Sequence, residues 1–487
     1  MKKGLLFLVL IGEVFFLGSY QTAWAVDFSE ERNGAWETFK QITIEGYKNY
    51  PAYGLVFDSA SCTPDSNAAC DYAVSEGQGY GLLLAAIQKD QKTFDQILTA
   101  ADKWMWQADR RGYGWKTYTD GSTPDTNAAT DGDEDIAMAL LLADKLQASG
   151  QWNKNTAYQK RAQEIIASIY ETMTLNNYLC PGNYTCTPDE LNFSYFAPAW
   201  YKVFAVYDPA HDWRGVIDKQ YDLLLAVAKK FNGLIPDWCT ENGDVTYNNR
   251  PHNMTYDAIR VPWRLALDSI WNNDPRAQEY LNLVMPYVLA KSGAKDIKMY
   301  SIPEGNPLEW HNELTVALWS AGAWGSNLPA DQKNALVQEF RSFYNPVDQS
   351  FNATWAPAKW YYFNQALSLL AAATIDGSLF NPLPFLDAQD NTKSKLFRKK
   401  GKIDRQRILV QVRQKGENYT LAFFKRGKSA KNAVYRKSAH PFYQVNYIHA
   451  TTLQKIIIKN HRVILKHKSG FKKIFKLFLK WQAKDIF

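Results

Sequence analysis

The sequence predicts an all-α protein, six helical hairpins closed into a ring, followed by a basic C-terminal tail of a different kind. Three observations predict it. Apolar residues recur at the 3.6-residue period in one segment after another up to about residue 373. Alternating Val/Ile/Thr runs are scarce over the same stretch, which leaves little material for a sheet. Short links alternate with long loops, the spacing expected when hairpins stand side by side and gather their long loops around one concave end.

In chain order the periodicity places helices at 29–49, 74–88, 92–107, 132–148, 155–174, 195–206, 212–231, 256–271, 276–291, 310–323, 329–343 and 357–373. Several starts carry capping residues: Ser29 with Glu31, Thr130 with Asp131, and Asp257. Pro262 falls in the first turns of its helix, where proline is tolerated.

The 487 residues, 46% hydrophobic and 22% charged, are globular in composition, which excludes low-complexity disorder, collagen and small disulfide scaffolds. Outside the N-terminus no apolar run approaches the roughly 18 residues of a membrane span. The net charge of +7 hides two opposite parts. From Asn391 onward 26 Lys and Arg face only Asp404, Glu417 and Asp485, whereas the first 390 residues hold 30 basic and 46 acidic side chains. So acidic a body repels a phosphate backbone, and nucleic acid is not its natural partner.

Residues 1–25 read as an export signal: Lys2 and Lys3, an apolar stretch from Leu5 to Leu17, then Ala23-Trp24-Ala25. The expected location is the periplasm or beyond, where disulfides form. Cys62 with Cys70, and Cys180 with Cys186, are candidate loop staples, leaving Cys239 free. No cysteine pair has metal-ligand spacing with a histidine, and no metal or cofactor is expected. The body, 26–387, is read as one catalytic unit and a monomer. The tail, 388–487, is an appended module, a disordered segment or the product of a disrupted frame. Within it, 407–415 and 419–425 alternate like strands, and 469–487 is basic and amphipathic.

Three acidic constellations carry candidate chemistry. In Ser75-Glu76-Gly77-Gln78-Gly79-Tyr80-Gly81, three alternating glycines cost roughly 1 kcal/mol each in a helix. Something must approach that backbone closely. Either Glu76 stands beside an open surface as a proton donor, or the glycines only let two helices touch. In Thr130-Asp131-Gly132-Asp133-Glu134-Asp135, Asp131 and Asp135 share a face with Ala139 and Leu142, which turns them inward; calcium ligation is the rival reading. In Tyr256-Asp257-Ala258-Ile259-Arg260, Arg260 is near enough to pair with Asp257 and keep it ionised, or Asp257 is only a cap. A protonated carboxyl opposite an ionised one is what glycoside hydrolysis requires.

These segments resemble glycoside hydrolase family 8 from about residue 29 to 384, most specifically at SEGQGYG and ATDGDEDIA. FSYFAPAWY (193–201), GLIPDW (233–238) and GNPLEWHNE (305–313) are similar to that family as well. The resemblance implies an (α/α)6 barrel and an inverting, endo-acting hydrolase of β-1,4-linked polysaccharide. Glu76 is implied as general acid and Asp257 as general base. Asp131 is implied as the residue that binds and distorts the sugar, with Asp133 close enough to contest that role. A base in the YDAIR position is similar to the branch of cellulases, xylanases and glucanases, and less so to the chitosanases. Trp104, Trp106, Trp115, Trp200 and Trp238 are candidate stacking platforms, and Tyr80, Tyr256 and Arg260 are further candidate substrate contacts. The rival outside catalysis is a polysaccharide-binding protein that uses the rings and not the acids.

Overall fold

The computed structural model describes residues 26–58, 72–154, 157–184, 186–352 and 361–383, together with the backbone of seven strands between Lys395 and Lys476. The export segment, the Cys62/Cys70 pair, the boundary at 387 and residues 477–487 lie outside the described residues.

The twelve predicted helices are present: α1 Ser29–Thr43, α2 Ser75–Ile87, α3 Gln91–Trp104, α4 Thr130–Ala148, α5 Tyr158–Met173, α6 Pro198–Tyr207, α7 Trp213–Lys230, α8 Val261–Asn272, α9 Pro275–Ser292, α10 Glu313–Gly325, α11 Ala330–Ser342 and α12 Tyr361–Ile375. Even-numbered helices form an inner ring, in which α12 packs on α2, α2 on α4, α6 on α8, α8 on α10 and α10 on α12. Trp200 and Tyr201 of α6 join the ring to α4 through Asp135 and Glu134. Each odd-numbered helix lies outside, and α1 against α12 closes the circle, so the chain forms an (α/α)6 barrel.

Composition dictates which helix goes where. Inner helices such as α2 (SEGQGYGLLLAAI) and α10 (ELTVALWSAGAWG) are apolar almost all round and are buried almost throughout. Outer α3 buries only Phe94, Ile97, Leu98, Ala100 and Ala101 on one face.

Helix ends differ from the capping expectations. Ser29 and Thr130 are the first helical residues and not caps; the Ser29 N–H donates to Asp27, and the Thr130 hydroxyl donates to the Cys180 carbonyl. Asp257 makes no capping bond to the 3-10 turn Ala258–Arg260, because Asp237 accepts the Ala258 N–H instead (2.8 Å). The helix predicted to start at 256 therefore begins at Val261, with Pro262 in its first turn.

A small antiparallel sheet escaped the sequence reading. Strands β1 Tyr72–Val74, β2 Trp106–Gln107, β3 Gly112–Tyr118 and β4 Asp125–Ala128 assemble around β3, so the predicted helix 92–107 stops at Trp104. Lys116 of β3 pairs with Val74 of β1 and with Asp125 of β4. β1 runs straight into α2 and β4 almost directly into α4, so one strand ties together the two helices that begin at Ser75 and Thr130.

The motif glycines serve that same contact. A Cβ on Gly79 would lie 2.6 Å from Asp135 Cβ, and one on Gly132 would lie 2.7 Å from the Ser75 carbonyl carbon. Gly77 faces the Tyr362 ring and Gly81 faces Val56. What approaches these glycines closely is the protein itself, and this packing leaves the Glu76 side chain partly exposed beside it. Gly132→Ala is expected to cost about 1–3 kcal/mol, since backbone cannot step aside as a side-chain tip can. Thermal denaturation should show Tm lower by at least about 2 °C, and an unchanged Tm would mean that α2 and α4 have slack.

Four two-residue strands form two hairpins in the body: β5 Thr174–Leu175 with β6 Tyr178–Leu179, and β7 Tyr344–Asn345 with β8 Ser350–Phe351. In the tail, β9 Lys395–Ile403, β10 Gln406–Lys415, β11 Asn418–Lys425 and β12 Tyr443–Ile448 form one antiparallel sheet. β13 Leu453–Lys459, β14 Arg462–His467 and β15 Lys472–Lys476 form another. The two strands expected at 407–415 and 419–425 are β10 and β11, and over these seven strands the tail has regular structure.

Candidate active site

At one end of the barrel the N-termini of α2, α4, α8 and α12 converge on a single guanidinium. Arg260 Nη1 donates to Glu76 Oε2, to Asp131 Oδ2 (2.9 Å) and to the Tyr80 hydroxyl (3.2 Å). Its Nη2 donates to Asp257 Oδ1 (2.7 Å) and to Ser194 Oγ (2.8 Å), and its Nε to the Asp257 carbonyl (3.2 Å). Three carboxyls, the farthest of them 184 positions from Arg260, are thus gathered on one cation. Helix N-termini favour negative charge, so the backbone assists the arginine in holding them.

The three carboxyls are not equally accessible. The Asp257 side chain keeps 31% of its exposure and Glu76 14%, against 3% for Asp131 and 1% for Arg260. Asp257 Oδ2 also accepts the Trp238 indole N–H (2.9 Å), so both oxygens are oriented while the group stays open to the cleft. Glu76 Oε1 accepts the Tyr362 hydroxyl (3.1 Å).

Burial raises Glu76 to about 8; Arg260 opposes the shift, and the nearby charges of Asp131 and Asp257 add to it. Burial also raises Asp257 above the ordinary carboxylate range, with Arg260 and the Trp238 hydrogen bond pulling it back. Arg260 thus makes the expected contact with Asp257 and favours its ionised form, while burial acts in the opposite direction. The result is one carboxyl raised to about 8, and another, more exposed, across the guanidinium from it.

The two contested aspartates of the second motif stand in different surroundings. Asp131 joins the cluster, with Oδ1 accepting the Gly132 N–H (2.9 Å). Asp133 is fully buried and accepts the Tyr113 amide N–H (3.2 Å), so it braces β3 and does not face a substrate. Asp135 takes a two-pronged bond from Arg264 (2.6 and 2.7 Å), and Glu134 takes the Tyr201 hydroxyl. The acids of this motif are thus spent on different protein donors, which replaces the calcium reading.

Several candidate platforms are displaced as well. Trp200 is fully buried and donates to Asp135 (2.6 Å), so it belongs to the core. Tyr80 is also buried, beneath Arg260, and cannot touch a sugar. Arg161 stacks on the Trp106 ring (3.9 Å to the centroid), and Lys103 lies over Trp104 (4.1 Å). Trp115 remains 38% exposed, as a platform must be, and Tyr256 is partly buried against Trp310 and Phe363.

Sequence reasoning missed Tyr362, Ser194 and Asp237. Asp237 accepts the N–H groups of Thr255 (2.9 Å) and Ala258 (2.8 Å) and also the Thr255 hydroxyl, fixing the loop that presents Asp257. It lay inside GLIPDW, beside a tryptophan that was singled out, and Ser194 lay inside FSYFAPAWY, whereas Tyr362 lay in none of the quoted segments. The expected Cys180–Cys186 bridge is present with 4.7 Å between Cα atoms, and Cys239 is buried and free, its thiol pushed up to about 12 by burial. The Pro181 carbonyl accepts the Thr130 N–H (3.1 Å), so the bridged loop rests on the turn that leads to Asp131.

A helical toroid with paired carboxyls at its mouth fits a polysaccharide-cleaving class of protein, the glycoside hydrolases. The family model described as "Glycosyl hydrolases family 8" matches residues 14–373, and the chain belongs to that family. It is 32% identical over 381 residues to Endoglucanase A of Acetivibrio thermocellus, covering 74% of this chain and 72% of that one. It is 34% identical over 302 residues to Endoglucanase 2 of Ruminiclostridium josui, covering 59% of this chain and 60% of that one. Among solved structures, a reducing-end-xylose releasing exo-oligoxylanase shares the fold with a TM-score of 0.58 at 19% identity, over 73% of this chain and 95% of that one. No helix among the described residues is long and apolar enough to cross a membrane.

Proposed function

We propose that the protein is an endo-acting, inverting hydrolase of β-1,4-glucan, with Glu76 as general acid and Asp257 as general base. The observation that carries this reading is the pair itself: a carboxyl raised to about 8 and a more exposed carboxyl, held by different Nη atoms of Arg260. An inverting enzyme keeps its two carboxyls roughly 6.5–9.5 Å apart so that one water fits between base and sugar. Glu76 gives its proton to the glycosidic oxygen as the C1–O bond breaks. A water attacks C1 from the opposite face and passes a proton to Asp257. Asp131, largely buried beside Arg260, grips the sugar at the cleavage point when the chain binds. Proton exchange with solvent then restores both carboxyls.

The endoglucanase relatives support a glucan as the polymer. The chain is read as exported behind residues 1–25, which the mass of the exported protein checks. The body works as a monomer with the tail apart from it. Reducing ends released from carboxymethylcellulose, mixed-linkage β-glucan, xylan and chitosan test the substrate. A β-glucan should be cut fastest. Cleavage of xylan alone would keep the mechanism and overturn the glucan, and cleavage of none of them by folded protein would leave a binding protein.

A further inference from the structure

We infer that Arg250, which lies outside the three acidic motifs, is a positioning residue that acts on Asp257 through Trp238. The inference rests on the reading of Asp257 as the base. The Trp238 indole N–H and Arg260 Nη2 both donate to the Asp257 carboxylate, and the Asn192 side chain also favours its charged form. Arg250 lies flat against that indole, its Cζ 4.1 Å from the ring centroid. The Tyr195 ring meets the same indole edge-on, with centroids 6.3 Å apart.

The arginine is itself anchored. Its Nε pairs with Glu190, a buried carboxylate that also accepts from Asn248 (3.3 Å). Its backbone N–H donates to Thr246 Oγ1 (3.0 Å), and the Trp238 N–H donates to the Pro251 carbonyl (3.0 Å), so the strands of loop carrying the two side chains are fastened together. Glu190, Arg250, Trp238 and Asp257 thus form one chain of contacts from a buried anion to the base.

Two physical effects run along it. Arg250 restricts the indole, so its N–H stays aimed at Oδ2. A cation over the ring also draws electron density from it, which makes the N–H a stronger donor to the charged carboxylate. Both favour the ionised base. Besides Trp238, Asp257 is faced by Arg260, Asp131, Glu76 and Asp237, all of which remain when Arg250 is changed. A shift between variants therefore reports the Arg250 contribution.

The test is kcat and KM as a function of pH on a soluble β-glucan for wild type, Arg250→Leu, Arg250→Lys and Trp238→Phe, with Asp257→Asn in the same series. Arg250→Leu is expected to lower kcat about tenfold, leave KM within about twofold and move the acidic limb up by about half a pH unit, part of what a hydrogen bond to a charged group supplies. Arg250→Lys keeps a cation over the ring and should recover most of the loss. Trp238→Phe keeps the ring, removes the N–H and should shift the limb further. Should Arg250→Leu fold poorly because Glu190 loses its partner, the double variant Arg250→Leu/Glu190→Gln removes the stranded charge and is expected to show the same limb shift.

A higher KM with unchanged kcat and limb would make Arg250 a substrate contact and overturn the inference. So would a limb that moves in Trp238→Phe but not in Arg250→Leu. If Asp257→Asn is inactive while Arg250→Leu behaves as wild type, the inference alone fails. If Asp257→Asn stays active, the reading of the base fails with it.

Discussion

Glu76→Gln should lower kcat on a β-glucan by at least about a hundredfold, the lower end of what one positioned proton transfer contributes. The amide keeps the shape and an oxygen for Arg260 to bond, but has no acidic proton to give. In the wild type, kcat/KM should fall as pH rises through about 8, because the acid must be protonated and burial sets its raised value. The residual rate of the variant should lack that alkaline limb. Stability of the wild type should also fall with rising pH. A carboxyl whose folded pKa lies above its unfolded value contributes stability below the unfolded pKa and loses it as pH rises through the folded one. For Glu76 that window runs from roughly 4.5 to about 8. At pH 8 the variant, which cannot titrate, should melt no lower than the wild type. A variant that loses activity only because it melts lower would remove Glu76 from the mechanism.

Arg260 should be the most costly single position to change, because activity and stability both depend on it. Replacing it with Met leaves Glu76, Asp131 and Asp257 together without their shared cation. Removing one partner from a buried ion cluster costs about 3–5 kcal/mol, so Tm should fall by several degrees and activity to below about 1%. Arg260→Lys separates the two effects. Its ammonium keeps the charge, so much of the stability should return, but a point charge cannot span both carboxyls as the two Nη atoms do. Activity should stay low in a protein that folds. A Lys variant with near-wild-type kcat would show that charge alone suffices and that the geometry of the fork is incidental.

The helical frame was legible because its outer helices bury apolar residues at a regular period, as Phe94, Ile97, Leu98 and Ala101 do on α3, while inner ones such as α2 and α10 are longer apolar runs. Glu76 and Asp131 could be found because each sits in a segment whose composition is costly without a reason, glycines inside a helix or acids crowded at its start, whereas Asp257 was marked by Arg260 three positions on and by the family resemblance. Tyr362 carries no such mark. It reaches Glu76 across 286 positions, and only ring closure brings α12 beside α2. Trp200 and Trp115 show the limit of reading aromatics. Both lie near motif loops, yet one is sealed against Asp135 and the other stands open, a difference set by tertiary packing. The β1–β3–β4 sheet was hidden because its strands are short and rich in Gly, Thr, Asp and Asn, which read as loop.

The central claim is that Glu76 and Asp257 act on opposite faces of the sugar with one water between them. Proton NMR of the first products released from a soluble β-glucan, recorded before mutarotation, tests it most directly. The account predicts that the new reducing ends appear first as the α-anomer, because a single displacement inverts a β-linkage. Fresh β-anomer would mean a covalent intermediate and retention, and would contradict the assignment of Asp257 as a base acting through water.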